Sequence, residues 1–264
     1  MQDFDAVSDA RTYFPRGLRQ PEGGFRFAVD ALLLAAFALR RPVPAGGAML
    51  DLGCGCGVVA LACLLASPGL TAMGVDILPE QVAAARENAA MLGLVDRFAV
   101  KEMDIAVPAE RQALGVGGYA LLTANMPYRE PGSGRLPRDA ARQKALFATP
   151  STMPSFLAGA RQALAPGGEY VLVYPWDTRE ILLRSLEEGG FSPVEVLAVR
   201  TGSAAHSRCL VRAVHRAASP KTLLCNLPPL DLHQEPGGRF SEEAIAFCPW
   251  LAPLSSKEGG NQFG

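Results

Sequence analysis

The sequence predicts an α/β fold built on a mostly parallel sheet, and three observations carry that reading. Short apolar runs alternate with longer helical patterns from residue 48 onward, the spacing of βαβ units. The first run ends in Gly53-Cys54-Gly55-Cys56-Gly57, which opens directly into an apolar helix. The second ends at Asp76, nineteen residues past the last of those glycines, where an acid in such folds meets ribose hydroxyls.

In chain order, Ala28 to Leu39 is a helix, broken by Pro42, Pro44, Gly46 and Gly47. Ala48 to Leu52 is a strand and Val58 to Ala66 a helix, stopped by Ser67-Pro68-Gly69. Leu70 to Val75 is the second strand. Pro79 to Leu92 is a helix with proline in its first turn and Gly93 after its end. Phe98 to Val100 and Tyr119 to Ala124 are the third and fourth strands, followed by a polar loop to Pro137. Asp139 to Ala148 and Pro154 to Ala165 are expected as helices, and Pro166-Gly167-Gly168 as a turn into the strand Tyr170 to Tyr174. Thr178 to Glu188 is a helix closed by Gly189-Gly190. Val194 to Thr201 and Ser207 to Val214 form a hairpin. Past Pro220 the chain is rich in proline and glycine without a long period, so an ordered but irregular tail is expected, fraying after about Ser255. The expected divisions are an N-terminal cap segment (1–46), the α/β domain (47–218) and the tail (219–264).

Composition excludes several classes. Of 264 residues 49% are hydrophobic, enough for a core and incompatible with global disorder. The 25 basic and 26 acidic residues leave a net charge of −1, which excludes a uniformly basic nucleic-acid coat but not a local patch. The longest apolar candidate, Ala31 to Leu39, is half a membrane span. Asp3, Asp5 and Asp9 precede any apolar run, unlike a secretion signal, so a cytoplasmic protein is expected. The six cysteines include no CxxC, and His206, His215 and His233 have no zinc spacing; reduced buried thiols and no metal are expected.

Glycines at alternate positions let the backbone turn sharply and approach a ligand, and the helix beyond presents free N–H groups. Together with Asp76, Gly53, Gly55 and Gly57 therefore read as a nucleoside site. Gly55-Cys56-Gly57-Val58-Val59-Ala60 also satisfies the dinucleotide pattern G-x-G-x-x-A, which keeps a nicotinamide dehydrogenase open at this point. The fourth strand ends in Asn125-Met126-Pro127-Tyr128, at the carboxyl edge where open α/β sheets bind ligands. An exocyclic amine on a purine is a poor nucleophile because its lone pair is delocalised into the ring. Two acceptors gripping the amine hydrogens favour a pyramidal, nucleophilic nitrogen. Asn125 offers its side-chain carbonyl, and Met126 its backbone carbonyl, set by Pro127. The ring face of Tyr128 is available for stacking on an extruded base, a role that does not use the hydroxyl.

The loop and its preceding acid, Asp51-x-Gly53-x-Gly55-x-Gly57, resemble the D-x-G-x-G-x-G motif of S-adenosylmethionine (SAM) methyltransferases. That resemblance implies a Rossmann-like fold with a mostly parallel seven-stranded sheet flanked by helices, its final strand antiparallel. It implies SAM as cofactor, with Asp51 toward the methionine ammonium and Asp104 toward the adenine amino group; a solvated loop acid is the other reading of Asp104. Asn125-Met126-Pro127-Tyr128 resembles the [N/D/S]-P-P-[Y/F/W] motif of N6-adenine and N5-glutamine methyltransferases. Met126 departs from the commoner proline, as does the apolar residue of rRNA adenine dimethyltransferases. Gln20 to Leu34, with Gly23-Gly24-Phe25-Arg26-Phe27 and Asp30, looks like the segment that caps the SAM pocket in valine-tRNA adenine-37 N6-methyltransferases. Asp30 could equally cap the helix beginning at Ala31. Gly132-Ser133-Gly134, Ala140-Ala141-Arg142 and Gly237 to Glu243 fit the same family, and the resemblance spans about residues 11 to 245.

The implied reaction is methyl transfer to the N6 amine of an adenine in RNA, most simply tRNA. Phosphate contacts are expected from Arg129, Arg135, Arg138, Arg142 and Lys144, and from Arg208 and Arg212 in a stretch, 196–221, with five basic residues and no acid. Two alternatives stay open: a protein glutamine acceptor, whose enzymes carry a separate N-terminal helical domain not seen in this sequence, and a SAM-fold RNA-binding protein without turnover.

Overall fold

The computed structural model describes residues 4–21, 26–44, 46–128, 149–201, 206–216, 223–234 and 238–255. The elements are α1 (Phe4–Thr12), α2 (Val29–Ala38), β1 (Ala48–Leu52), α3 (Val58–Ala66), β2 (Thr71–Asp76), α4 (Pro79–Met91), β3 (Phe98–Glu102), α5 (Pro108–Arg111), β4 (Tyr119–Ala124), α6 (Thr152–Ala163), β5 (Leu164–Pro175), α7 (Arg179–Glu188), β6 (Phe191–Arg200), β7 (His206–His215), β8 (Cys225–Asp231) and α8 (Glu242–Phe247). They build one sheet in the order β3-β2-β1-β4-β5-β7-β6-β8. β7 runs antiparallel to both its neighbours, and the other pairings are parallel. The chain reverses its direction of travel across the sheet between β1 and β4, so the carboxyl ends of these two strands form a topological switch point.

The seven anticipated strands are present, with the expected antiparallel β7, and an eighth joins them. β8 lies in the tail, where Pro228-Pro229 hid it. Proline donates no hydrogen bond and is confined to edge strands or bulges. β8 satisfies both conditions: it is the edge, and its pairing with β6 skips from Leu197↔Leu227 to Val199↔Leu230. The Pro166-Gly167-Gly168 turn is also absorbed into a strand. The β4–β5 pairing jumps from Tyr119↔Leu164 to Leu121↔Glu169, and Gly167 takes a left-handed φ of 77° within that irregularity. The helix expected at 139–148 falls outside the described residues.

Helix α2 has no polar face in its interior: Ala31 through Ala38 are all buried. Such a helix needs cover on every side. The tail supplies part of it, since Leu232, Ala244, Cys248 and Leu251 are buried in the same core as α2 and α3. Ser241 starts α8 by accepting from the Ala244 N–H at 2.9 Å and donating its hydroxyl to the Asp231 carbonyl. Helix α1, unforeseen in the sequence, is tied to the end of α4 by Arg11, whose guanidinium donates to the carbonyls of Leu92 and Gly93. Among the described residues, no helix is long and apolar enough to cross a membrane. Five of the six cysteines are buried, and all six are free thiols.

One expected RNA contact fails. Arg212 is fully buried, with its guanidinium hydrogen-bonded to Glu169, to Glu195 at 3.0 Å and to the Phe37 carbonyl at 2.6 Å. Arg41 closes the network from outside, at 2.9 Å from Glu169 and 2.7 Å from Glu195. Burial opposes ionisation of Glu195, yet the hydrogen bonds from Arg41 and Arg212 hold its carboxyl below the ordinary range. The linear count of five unopposed bases missed this pairing because the acids come from β5 and from the residue just before the counted stretch. Arg200 is likewise paired, with Asp231 at 2.6 Å. Removing one partner of a buried ionic network strands the others, at about 3–5 kcal/mol. Arg212→Ala should lose that much in urea unfolding at neutral pH. A loss under about 1 kcal/mol would show that the network contributes no more than a surface pair.

Candidate functional site

The site occupies the carboxyl edge of β1, β2, β3 and β4. After Leu52 the chain must turn from strand to helix within five residues, and Gly53, Gly55 and Gly57 do so with φ of 70°, 53° and 86°. Gly57 is the tightest: a Cβ there would stand 2.8 Å from the Phe98 ring and 3.2 Å from Ala85. The loop is pinned to β2. The N–H groups of Gly53 and Cys54 both donate to the Val75 carbonyl at 2.9 Å. Asp76 Oδ2 accepts from the Gly55 N–H at 2.8 Å, and Oδ1 accepts from the Leu78 N–H at 2.9 Å. Burial raises the Asp76 carboxyl, against these hydrogen bonds. Asp76 thus shapes the loop as well as facing the cavity, and each oxygen keeps a second lone pair for a ligand hydroxyl.

Asp51 is 1% exposed on β1. Its Oδ1 accepts from the Thr123 hydroxyl at 2.7 Å, across the β1–β4 register that pairs the two residues. Its Oδ2 has no hydrogen-bond partner, although the residue lines the cavity. Burial pushes the Asp51 carboxyl up to about 7, and the Thr123 hydroxyl and the Ala60 N–H only partly offset this. A buried carboxylate oxygen without a donor is costly, and a cationic group in the cavity is the chemistry that satisfies it.

The remaining wall is largely apolar, from Phe27 and Ala31 on one side to Ile77, Leu78, Ile105 and Phe156. Asp104 also faces the cavity and closes a local turn, its Oδ1 accepting from the Ala106 N–H at 2.9 Å. Asn125 and Pro127 line the cavity, whereas Met126 is 1% exposed and packs into the core beneath β4.

Tyr128 stands beside them, half-buried. Its hydroxyl accepts from Arg208 Nη2 at 3.0 Å and lies 3.5 Å from Asp30 Oδ2. Arg208 Nε donates to the same Asp30 oxygen at 2.8 Å. The guanidinium lies 5.2 Å from the Tyr128 ring centroid, and the Tyr174 ring meets Tyr128 edge-on at 6.1 Å. Asp30 therefore does not cap α2, where Ala28 occupies the cap position; its carboxylate is committed to Arg208 and Tyr128, while neighbouring Phe27 and Ala31 form the cavity wall. The hydroxyl of Tyr128 is not idle, because it anchors the ring to Arg208.

Arg129, Arg135, Arg138, Arg142 and Lys144 lie outside the described residues. Several contributors escaped sequence reading. Thr123 looks like any strand threonine until the register sets it against Asp51. Asn88 sits in an ordinary helix pattern, yet it is fully buried and holds the Arg19 backbone at 2.7 and 3.0 Å and the Cys56 carbonyl at 2.9 Å. It thereby ties the N-terminal segment to the glycine loop. Gly74 leaves room for Cys54, whose Sγ would be 2.8 Å from a Cβ there. Among the described residues, no cluster of three histidine, cysteine or acidic side chains could hold a metal.

Residues 45–197 match the family model described as "Methyltransferase domain". The chain is 32% identical over 200 residues to the release factor glutamine methyltransferase of Rhodospirillum rubrum, covering 72% of this chain and 56% of that one. It is 31% identical over 160 residues to the tRNA1(Val) (adenine(37)-N6)-methyltransferase of Yersinia enterocolitica, covering 60% and 61%. It thus spans about 56 to 61% of the length of these curated relatives. A solved structure of a predicted O-methyltransferase from Agrobacterium tumefaciens superposes with a TM-score of 0.64 at 18% identity, over 84% of this chain and 96% of that one, and supports the fold. The orphaned Asp51 oxygen, the glycine cradle and the apolar wall fit SAM, which carries an ammonium, a ribose and a purine. With residues 45–197 matching the family, the chain belongs to the methyltransferase-domain family, whose cofactor is SAM.

Proposed function

We propose that this methyltransferase modifies the N6 amine of an adenine in RNA, tRNA being the expected class. The observation that carries the reading is the position of Asn125 on the cavity wall with the Tyr128 ring beside it, held by Arg208 and Asp30. In this proposal Asp51 meets the SAM ammonium, Asp76 the ribose and Asp104 the adenine amino group, above the cradle of Gly53, Gly55 and Gly57. When bound, SAM supplies an electrophilic methyl group. The Asn125 side-chain carbonyl accepts one amine hydrogen of the substrate and the Met126 backbone carbonyl the other, with Pro127 fixing that carbonyl. The nitrogen lone pair is thereby withdrawn from the purine ring and aimed at the cavity. Tyr128 stacks on the base. Once methylated the nitrogen is cationic and sheds its proton to water, so no strong base is required. Orientation of this kind is worth about 7–11 kcal/mol.

Glutamine is the second reading, supported by the 32% identity to a release factor glutamine methyltransferase. Its amide nitrogen has the same delocalised lone pair and suits the same two acceptors. The flat ring of Tyr128, with a guanidinium against it, favours a base over an aliphatic side chain.

Three outcomes test these roles. If Asn125 grips the amine as it becomes nucleophilic, Asn125→Ala should slow single-turnover methylation of unmodified tRNA by roughly a hundred- to thousand-fold, about 2.7–4 kcal/mol, while SAM affinity stays near parental; an unchanged rate would reduce the motif to a turn. Tyr128→Phe should lower kcat/KM about ten-fold, since a hydrogen bond to a charged donor is worth about 1.5–3 kcal/mol. Parental kinetics in that variant would mean that Arg208 does not orient the ring. SAM binding should depend on pH through Asp51. Burial raises its carboxyl to about 7, and the ammonium selects the ionised form. Calorimetric affinity should therefore weaken as pH falls below 7, by up to about ten-fold per pH unit. Asp51→Asn should bind more weakly and without that slope; a retained slope would assign the titration to another group.

A further inference from the structure

Beyond Tyr128 the carboxyl edge carries a second set of flat side chains that the chemistry above does not use. Trp176 follows β5 directly, two residues after Tyr174, and is partly exposed. The His206 ring lies 4.3 Å from the Trp176 ring, centroid to centroid, and tilted by 35°. The Arg179 guanidinium lies 4.1 Å from the same indole, anchored by its own bond to the Trp176 carbonyl at 3.3 Å. Three planar groups are thus in contact at the sheet edge. Their distance from the acceptor site follows from strand geometry. Pro175 pairs with Arg208 in the β5–β7 register, and His206 and Arg208 are two residues apart on β7, roughly 7 Å. Arg208 touches Tyr128 and His206 touches Trp176, so the two aromatic centres are served by neighbouring same-face positions of β7. His206 Nδ1 is buried and has no hydrogen-bond partner among the described residues.

We propose that Trp176, with Arg179 and His206, forms a stacking subsite for the nucleobase next to the acceptor adenine in a single-stranded segment of RNA. This rests on the adenine reading above and adds a specificity element to it. The attraction is stacking rather than net charge: Arg208 is paired with Asp30, Arg179 lies 3.1 Å from Glu180, and Asp177 is exposed between Trp176 and Thr178. Indole, guanidinium and imidazole faces all accept a base, and every base has a π face. The subsite therefore tolerates any neighbouring base while requiring one to be present, and it demands that the acceptor strand be unpaired.

The test uses the full chain with S-adenosylhomocysteine present and two fluorescently labelled probes of equal length and charge, hexa-adenylate and its abasic ribose-phosphate counterpart. The parental enzyme should bind hexa-adenylate at least about five-fold tighter than the abasic strand. Trp176→Ala should remove a share of that difference worth about five-fold or more, leaving the share that Tyr128 contributes, and Trp176→Phe should keep most of it. The lost portion should be nearly the same at low and high salt, whereas phosphate contacts weaken as salt rises. Retained S-adenosylhomocysteine affinity reports that the Trp176→Ala chain is folded; if it is not, the Trp176→Phe and salt comparisons carry the test. Unchanged hexa-adenylate binding by Trp176→Ala, in an enzyme that still forms N6-methyladenosine, overturns the subsite alone; equal binding of the two probes by the parental enzyme overturns the subsite together with the stacking assigned to Tyr128. Label entering only protein glutamine, with Trp176→Ala weakening a release factor and not the oligonucleotide, overturns both the subsite and the adenine reading.

Discussion

Gly53, Gly55 and Gly57 hold left-handed backbone conformations in sequence, and everything at the carboxyl edge is arranged around that loop. Three such residues in five would be floppy in isolation, since glycine carries the largest backbone entropy. The loop is made rigid by groups that reach it from elsewhere: the Val75 carbonyl, the Asp76 carboxylate at the Gly55 N–H, and Asn88 at the Cys56 carbonyl. Phe98 and Ala85 close the space that a side chain at Gly57 would need. Asp76 is the clearest case of one side chain with two duties, because the geometry that holds the loop also keeps a carboxylate at the cavity wall.

Much of this was legible in the sequence. β1, α3 and β4 fall on their expected boundaries because glycine and proline punctuate them sharply, and because a buried parallel strand reads as a short continuous apolar run. The glycine loop and the Asn125 to Tyr128 turn were visible as motifs, and the sheet order brings them to adjacent strand ends. What was not legible depends on pairing between distant segments. Thr123 matters through its register with Asp51, Asn88 through two loops from other parts of the chain, and β8 through an edge position that lets Pro228 and Pro229 sit in a strand. Helix α1 lacks a strong apolar stripe, and its attachment through Arg11 to α4 has no sequence signature.

Charge was the least transferable quantity. Counting along the chain made residues 196–221 a basic surface, but strand alternation sends successive side chains to opposite faces and neighbouring strands add their own charges. Arg212 goes inward to Glu169 and Glu195, Arg200 pairs with Asp231, and Arg208 turns to Asp30 and Tyr128. Among the described basic residues of this stretch, Arg208 is the one that reaches the candidate site, where it holds an aromatic ring.

The most direct measurement is the chemical identity of the methylated atom. Purified enzyme would be incubated with isotopically labelled SAM, total tRNA from cells lacking the gene, and release factor protein in one reaction. RNA would then be digested to nucleosides and protein to amino acids for mass spectrometry. The proposed role of the Asn125 to Tyr128 edge requires the label in N6-methyladenosine. Label confined to N5-methylglutamine would contradict it and assign the same two acceptors to an amide.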